Sequence, residues 1–130
     1  MRIWIIIAWI SLPTVMYGGY ALLGLITRGN VLTPFQVTQF RAGHAHAGVL
    51  LVMSLLYYFF LDLTTFPLAT KEAACAILGA GILAQSGGLF LHMMVGQPNQ
   101  PSIGTTMTKI GAVLLACAVL FLAYALVVMP

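Results

Sequence analysis

Charge is nearly absent from this sequence. Lys, Arg, Asp and Glu together make up 5% of its residues, against about a quarter in a soluble globular domain. Water is therefore not the main solvent of the chain, and a separate water-exposed catalytic domain has no length left to form in. The five cations, Arg2, Arg28, Arg41, Lys71 and Lys109, stand singly and give a net charge of +3. Without the Lys/Arg clusters that gather phosphate backbones, nucleic acid is not an expected partner. Acids are scarcer still. Asp62 and Glu72 are the two carboxylates, and both flank one turn, which leaves no paired-carboxylate site facing the histidines. No nucleophile stands beside a base and no glycine-rich phosphate loop occurs. The two cysteines, Cys75 and Cys117, fall in different apolar runs and read as small packing residues. No repeat or low-complexity tract is present.

What the chain has instead is apolar length. Of its 130 residues, 62% are hydrophobic, and a helix needs roughly 20 such residues to cross a bilayer. Four runs meet that need, over residues 3–26, 34–62, 71–95 and 106–129. The expected fold is all-α: a four-transmembrane-helix bundle, with residues 1–130 forming one multi-pass domain in the cell inner (plasma) membrane.

Arg2 before the first run imitates a signal peptide. That run exceeds the roughly 7 to 15 residues of a signal core and carries no Ala-x-Ala site, so a retained helix is expected. Pro13 is positioned to kink it, and Gly18-Gly19 to admit a neighbour closely. Thr33-Pro34 opens the second helix as N-cap and first-turn proline. A tight turn near Phe66-Pro67 follows, and the polar segment from Gly96 to Ser102 separates the last two helices. One end of the bundle, side O, holds the first and third loops with Arg28, Arg41 and Lys109. The other end, side I, holds Arg2 and Lys71. An imbalance of three to two is too small for the positive-inside rule to set an orientation.

All three histidines fall in or at the edge of apolar runs: His44 and His46 on the second helix, His92 on the third. Ionisable groups in a bilayer are costly and point to function. The turn at Phe66-Pro67 lies nearly midway between His44 and His92, which sets the two at similar depth in the side O half. Gly48 stands one turn from His44 and Gly88 one turn from His92, both toward the membrane centre, and missing side chains leave flat space beside each imidazole. A porphyrin needs such space, and Arg41, one turn toward the interface, is placed to meet a propionate. The constellation leads to a b-type haem on His44 and His92, with Gly48, Gly88 and Arg41 around it. His46 follows His44 by two residues and points about 200° away around the helix. It is a further metal-ligand candidate that cannot share one face with His44.

Two other readings stand beside this one. Membrane histidines also hydrogen-bond across helix interfaces, and the glycines and alanines around them permit close packing. On that view the chain is a non-catalytic accessory subunit of a larger membrane complex. Met93 and Met94 adjoin His92, and Met107 follows the loop. Thioether with imidazole suits copper, although methionine is a routine filler of apolar helices.

The segment Phe40-Arg41-Ala42-Gly43-His44-Ala45-His46-Ala47-Gly48, with the later Gly87-Gly88-Leu89-Phe90-Leu91-His92, resembles a group of small four-helix bacterial membrane proteins. Arg41-x-x-His44 also resembles the haem-ligating second helix of subunit I in the haem-copper oxidase and nitric-oxide reductase superfamily. That second resemblance is confined to the residues around this motif and implies a haem ligand at His44 alone; the superfamily's copper-site histidines have no counterpart here. The expected function is a haem-b membrane protein for electron transfer or gas sensing, surrounded by lipid and assembled as a homo-oligomer through its small-residue faces.

Overall fold

The computed structural model describes residues 1–29 and 31–128. Among these the chain forms four helices and no strand: α1 (Arg2–Thr27), α2 (Pro34–Leu63), α3 (Leu68–Val95) and α4 (Ile103–Val127). Each is long and apolar enough to cross a membrane. Short connections make chain neighbours antiparallel, so α1 packs on α2, α2 on α3 and α3 on α4.

Local chemistry sets the boundaries. Thr33 caps α2 through a reciprocal pair: its Oγ1 accepts from Gln36 N at 3.2 Å, and Thr33 N donates to Gln36 Oε1 at 3.0 Å. Helix α3 begins at Leu68, three residues before the expected Lys71, because the Pro67 carbonyl accepts from both Thr70 N and Lys71 N. Helix α4 likewise begins at Ile103 rather than Thr106. Ser102 is its N-cap, with Oγ accepting from Gly104 N at 3.1 Å and Thr105 N at 3.4 Å, while Ser102 N donates to Thr105 Oγ1 at 2.9 Å. The expected end of α4 at Met129 lies outside the described residues.

The tightest seam joins α3 to α4. Added Cβ atoms at Gly88, Gly104 and Gly111 would run into backbone of the opposite helix: Thr108 and Gly104, His92, and Gln85 respectively. Backbones approach this closely only where side chains are missing. The α2–α3–α4 core lies toward side I and is built from Tyr57, Tyr58, Leu61, Cys75, Leu78, Leu115 and Ala118. Buried Lys71 closes that end, its Nζ donating to Asp62 O at 2.9 Å and Thr64 O at 2.7 Å. The last carbonyls of a helix have no intrahelical donor, so this ammonium does for α2 what a capping residue does elsewhere.

Helix α1 is the least buried of the four, with Ala8 and Leu22 its buried residues. Glu72 of α3 ties down its start, accepting from the Met1 amino group and from Trp4 Nε1.

Candidate functional site

The side O half of the bundle holds all three histidines, and each meets a different environment. His44 faces α1. A Cβ on Gly19 would lie 2.9 Å from its Nε2, and one on Gly18 would lie 3.5 Å from its Nδ1. The imidazole therefore rests in the notch of the Gly18-Gly19 pair. Gly48, one turn further along α2, meets Val15 of α1.

His92 faces the start of α4. Its Nδ1 lies 2.8 Å from Ser102 Oγ, its ring stands edge-on to Phe35 at 5.1 Å, and it is 6% exposed. Ser102 Oγ already accepts two backbone N–H groups. A hydroxyl has two lone pairs and one hydrogen, so the remaining role of Ser102 is to donate, and Nδ1 accepts. In the neutral ring the proton then sits on Nε2. Neither nitrogen offers a free lone pair to a metal.

His46 faces outward. Its Nδ1 lies 2.8 Å from Ala42 O, and its ring is exposed beside Ala45, Val49 and Leu50. A carbonyl only accepts, so Nδ1 carries the hydrogen and the neutral ring presents the Nε2 lone pair on the outer surface of α2.

Between His44 and His92 the α2–α3 interface is filled. Phe90 packs against Gly43, where a Cβ would stand 3.1 Å from its ring, and Phe40 meets the same ring edge-on at 5.2 Å. The Gly43–Phe90 contact fixes the relative height: His44 lies one residue beyond it toward side I and His92 two toward side O, so they differ by about 4 to 5 Å. Depth alone would allow a shared cofactor, but facing does not. Gly88 leaves no flat space beside His92, because Thr108 and the Gly104 carbonyl of α4 occupy it. These residues do not fit a haem between α2 and α3 of one chain.

The methionines disperse in the same way. Met93 and Met94 line an interfacial cleft with Phe35 and Pro98, and Met107 reaches toward Gly87. Among the described residues, no group of three or more His, Cys, Asp or Glu side chains comes together as a metal site.

Arg41 is exposed and lines a separate cleft of about 450 Å³ between the end of α1 and the first turns of α2. His92 is not among the residues that line this cleft. Ser102, Phe90 and Phe35 join this region without being expected from the sequence. The Ser-x-x-Thr spacing at 102–105 is the signal for the first; contacts between distant helices, which leave no local pattern, decide the other two. Compared with known family models, curated proteins and solved structures, the chain matches none.

Proposed function

We propose that this chain is a multi-pass membrane subunit with no catalytic centre of its own, which assembles with other membrane-embedded protein through the outer face of α2. The observation that carries this reading is His46. Its Nδ1–H is bonded to Ala42 O and its Nε2 lone pair lies on a surface flanked by Ala45 and Val49. Hydrocarbon supplies no donor, and an unmet acceptor there costs free energy that a partner's N–H or O–H recovers.

A donor of matching height exists on the chain itself. The contacts of His44 with Gly18-Gly19 and of Gly48 with Val15 set the antiparallel register, which puts His46 level with Met16 and Tyr17. Tyr17 is 70% exposed, on the face of α1 turned away from α2. Symmetry about an axis along the membrane normal preserves height. In a ring of copies the Tyr17 phenol of one therefore stands level with the His46 imidazole of the next, the height a hydrogen bond between them needs.

A second reading draws on the same atom. A ring nitrogen bonded to a backbone carbonyl, with the other lone pair free, is how metal-ligating histidines are oriented. On this reading haem b or copper is held between copies through His46 Nε2, and the chain transfers electrons or senses a gas.

The absorption spectrum of purified protein separates the two, read beside its native-gel mobility. The subunit reading expects no Soret band, and a band above monomer mass that His46→Leu shifts to monomer. A Soret band abolished by His46→Ala supports the second reading. Monomeric wild-type protein defeats the ring of copies, and assembly indifferent to His46→Leu defeats the first reading.

A further inference from the structure

We propose that the cleft between the end of α1 and the first turns of α2 binds an anionic phospholipid, with Arg41 holding its phosphate. The cleft encloses about 450 Å³ and is lined by Leu25, Ile26, Leu32, Val37, Thr38 and Arg41, among others. Its chemistry is two-sided. Thr38 Oγ1 donates to Pro34 O at 2.9 Å, so that hydrogen is engaged. Arg41 supplies donors that meet no acceptor among the described residues, and the rest of the lining named here is aliphatic. A ligand with a compact anionic head and an apolar body matches this arrangement.

Charge distribution points the same way. Asp62 and Glu72 are the chain's two acidic side chains. Both lie at the side I end, at the close of α2 and the start of α3. Side O carries exposed Arg28, Arg41 and Lys109 and no carboxylate side chain. Arg41 therefore meets no acidic side chain of its own chain, and a planar guanidinium presents the fork that phosphate oxygens accept from in pairs.

Depth fits as well. Helix α2 has 30 residues, about 45 Å, against about 30 Å of hydrocarbon. Centred in the bilayer, it leaves about 7 Å at each end, and Arg41 sits about 10 Å from the start of the helix. Its side chain reaches back along the cleft to the headgroup layer. The Leu25, Ile26 and Val37 walls, about 4 to 6 Å from the start of α2 in the same register, stand at the level of the glycerol backbone just outside the hydrocarbon.

A lipid site of this kind rests on the chain spanning a bilayer, and the test separates the two. The full chain is expressed in membranes and washed with alkaline carbonate; release from the membrane would defeat the spanning reading itself. The retained protein is purified in mild detergent and presented with equimolar phosphatidylglycerol and phosphatidylcholine, and bound lipid is counted by native mass spectrometry. Retention of phosphatidylglycerol over phosphatidylcholine by about 10-fold is expected, lost in Arg41→Gln, reduced but not abolished in Arg41→Lys, which keeps the charge without the fork, and unchanged in Lys109→Gln. Should Arg41→Gln fail to fold, Val37→Trp fills the apolar half while leaving the guanidinium, and it too must lose the lipid. Excess inorganic phosphate should not displace phosphatidylglycerol; displacement would mean a free-anion site and overturn the assignment. Equal retention of both lipids, or full retention in Arg41→Gln or Val37→Trp, would overturn it as well.

Discussion

His92 Nδ1 accepts from the hydroxyl of Ser102, 2.8 Å away, and the same hydroxyl oxygen caps the first turn of α4. One short polar side chain thereby joins the end of α3 to the start of α4 and settles the tautomer of the imidazole. Ser102→Ala should destabilise the bundle by about 1 to 2 kcal/mol, through the lost cap and the orphaned ring nitrogen. Ser102→Thr should cost less than about 0.5 kcal/mol. A double-mutant cycle with His92→Leu, followed by unfolding in mixed detergent, should return a coupling of about 0.5 to 1.5 kcal/mol. Additive effects would mean the pair does not act as one unit.

Gly19 and Gly24 lie on the same helix with opposite surroundings. A Cβ at Gly19 would press on the His44 ring, whereas one at Gly24 meets nothing within 4 Å. Gly19→Val should therefore cost about 1 to 3 kcal/mol by forcing the imidazole out of its notch. Gly24→Ala should be neutral or stabilise by up to about 1 kcal/mol, from helix propensity alone. Thermal unfolding of the two variants side by side checks the contrast.

Lys71 is buried and gives two hydrogen bonds to the carbonyls that end α2. Lys71→Met keeps much of the stem and removes the donors, leaving Asp62 O and Thr64 O unpaired, at a cost of about 2 to 3 kcal/mol. Lys71→Arg, which keeps a cation of different shape, should fall between this variant and wild type in denaturant midpoint.

The helices are legible in the sequence because each apolar run exceeds the span of a bilayer and because Thr33-Pro34 is a local signal. The starts of α3 and α4 are less so, and each lies three residues earlier than the apolar pattern indicates. At α3 the cap is a proline carbonyl, which carries no side-chain signature. At α4 the Ser-x-x-Thr cap sits inside a segment whose prolines and glutamines read as loop.

The histidines are harder, because sequence spacing gives height along a helix but leaves the choice of neighbour open. His44 and His92 lie at comparable depth, yet one turns to Gly18-Gly19 and the other to Ser102. Phe90, one aromatic within an apolar run, fills the space between α2 and α3. Gly88 illustrates the same limit, since a missing side chain reads alike whether it admits a cofactor plane or the backbone of α4.

Assembly through the outer face of α2 is tested most directly at the surface around His46. A photoreactive amino acid placed at Val49, on the same face of α2 and 68% exposed, is irradiated in native membranes; the control position is Leu83 of α3, 71% exposed. A higher-mass protein adduct is expected from position 49, absent from position 83, lost in His46→Leu and weakened in Tyr17→Phe. Lipid adducts alone from position 49, or equal protein adducts from both positions, would contradict it.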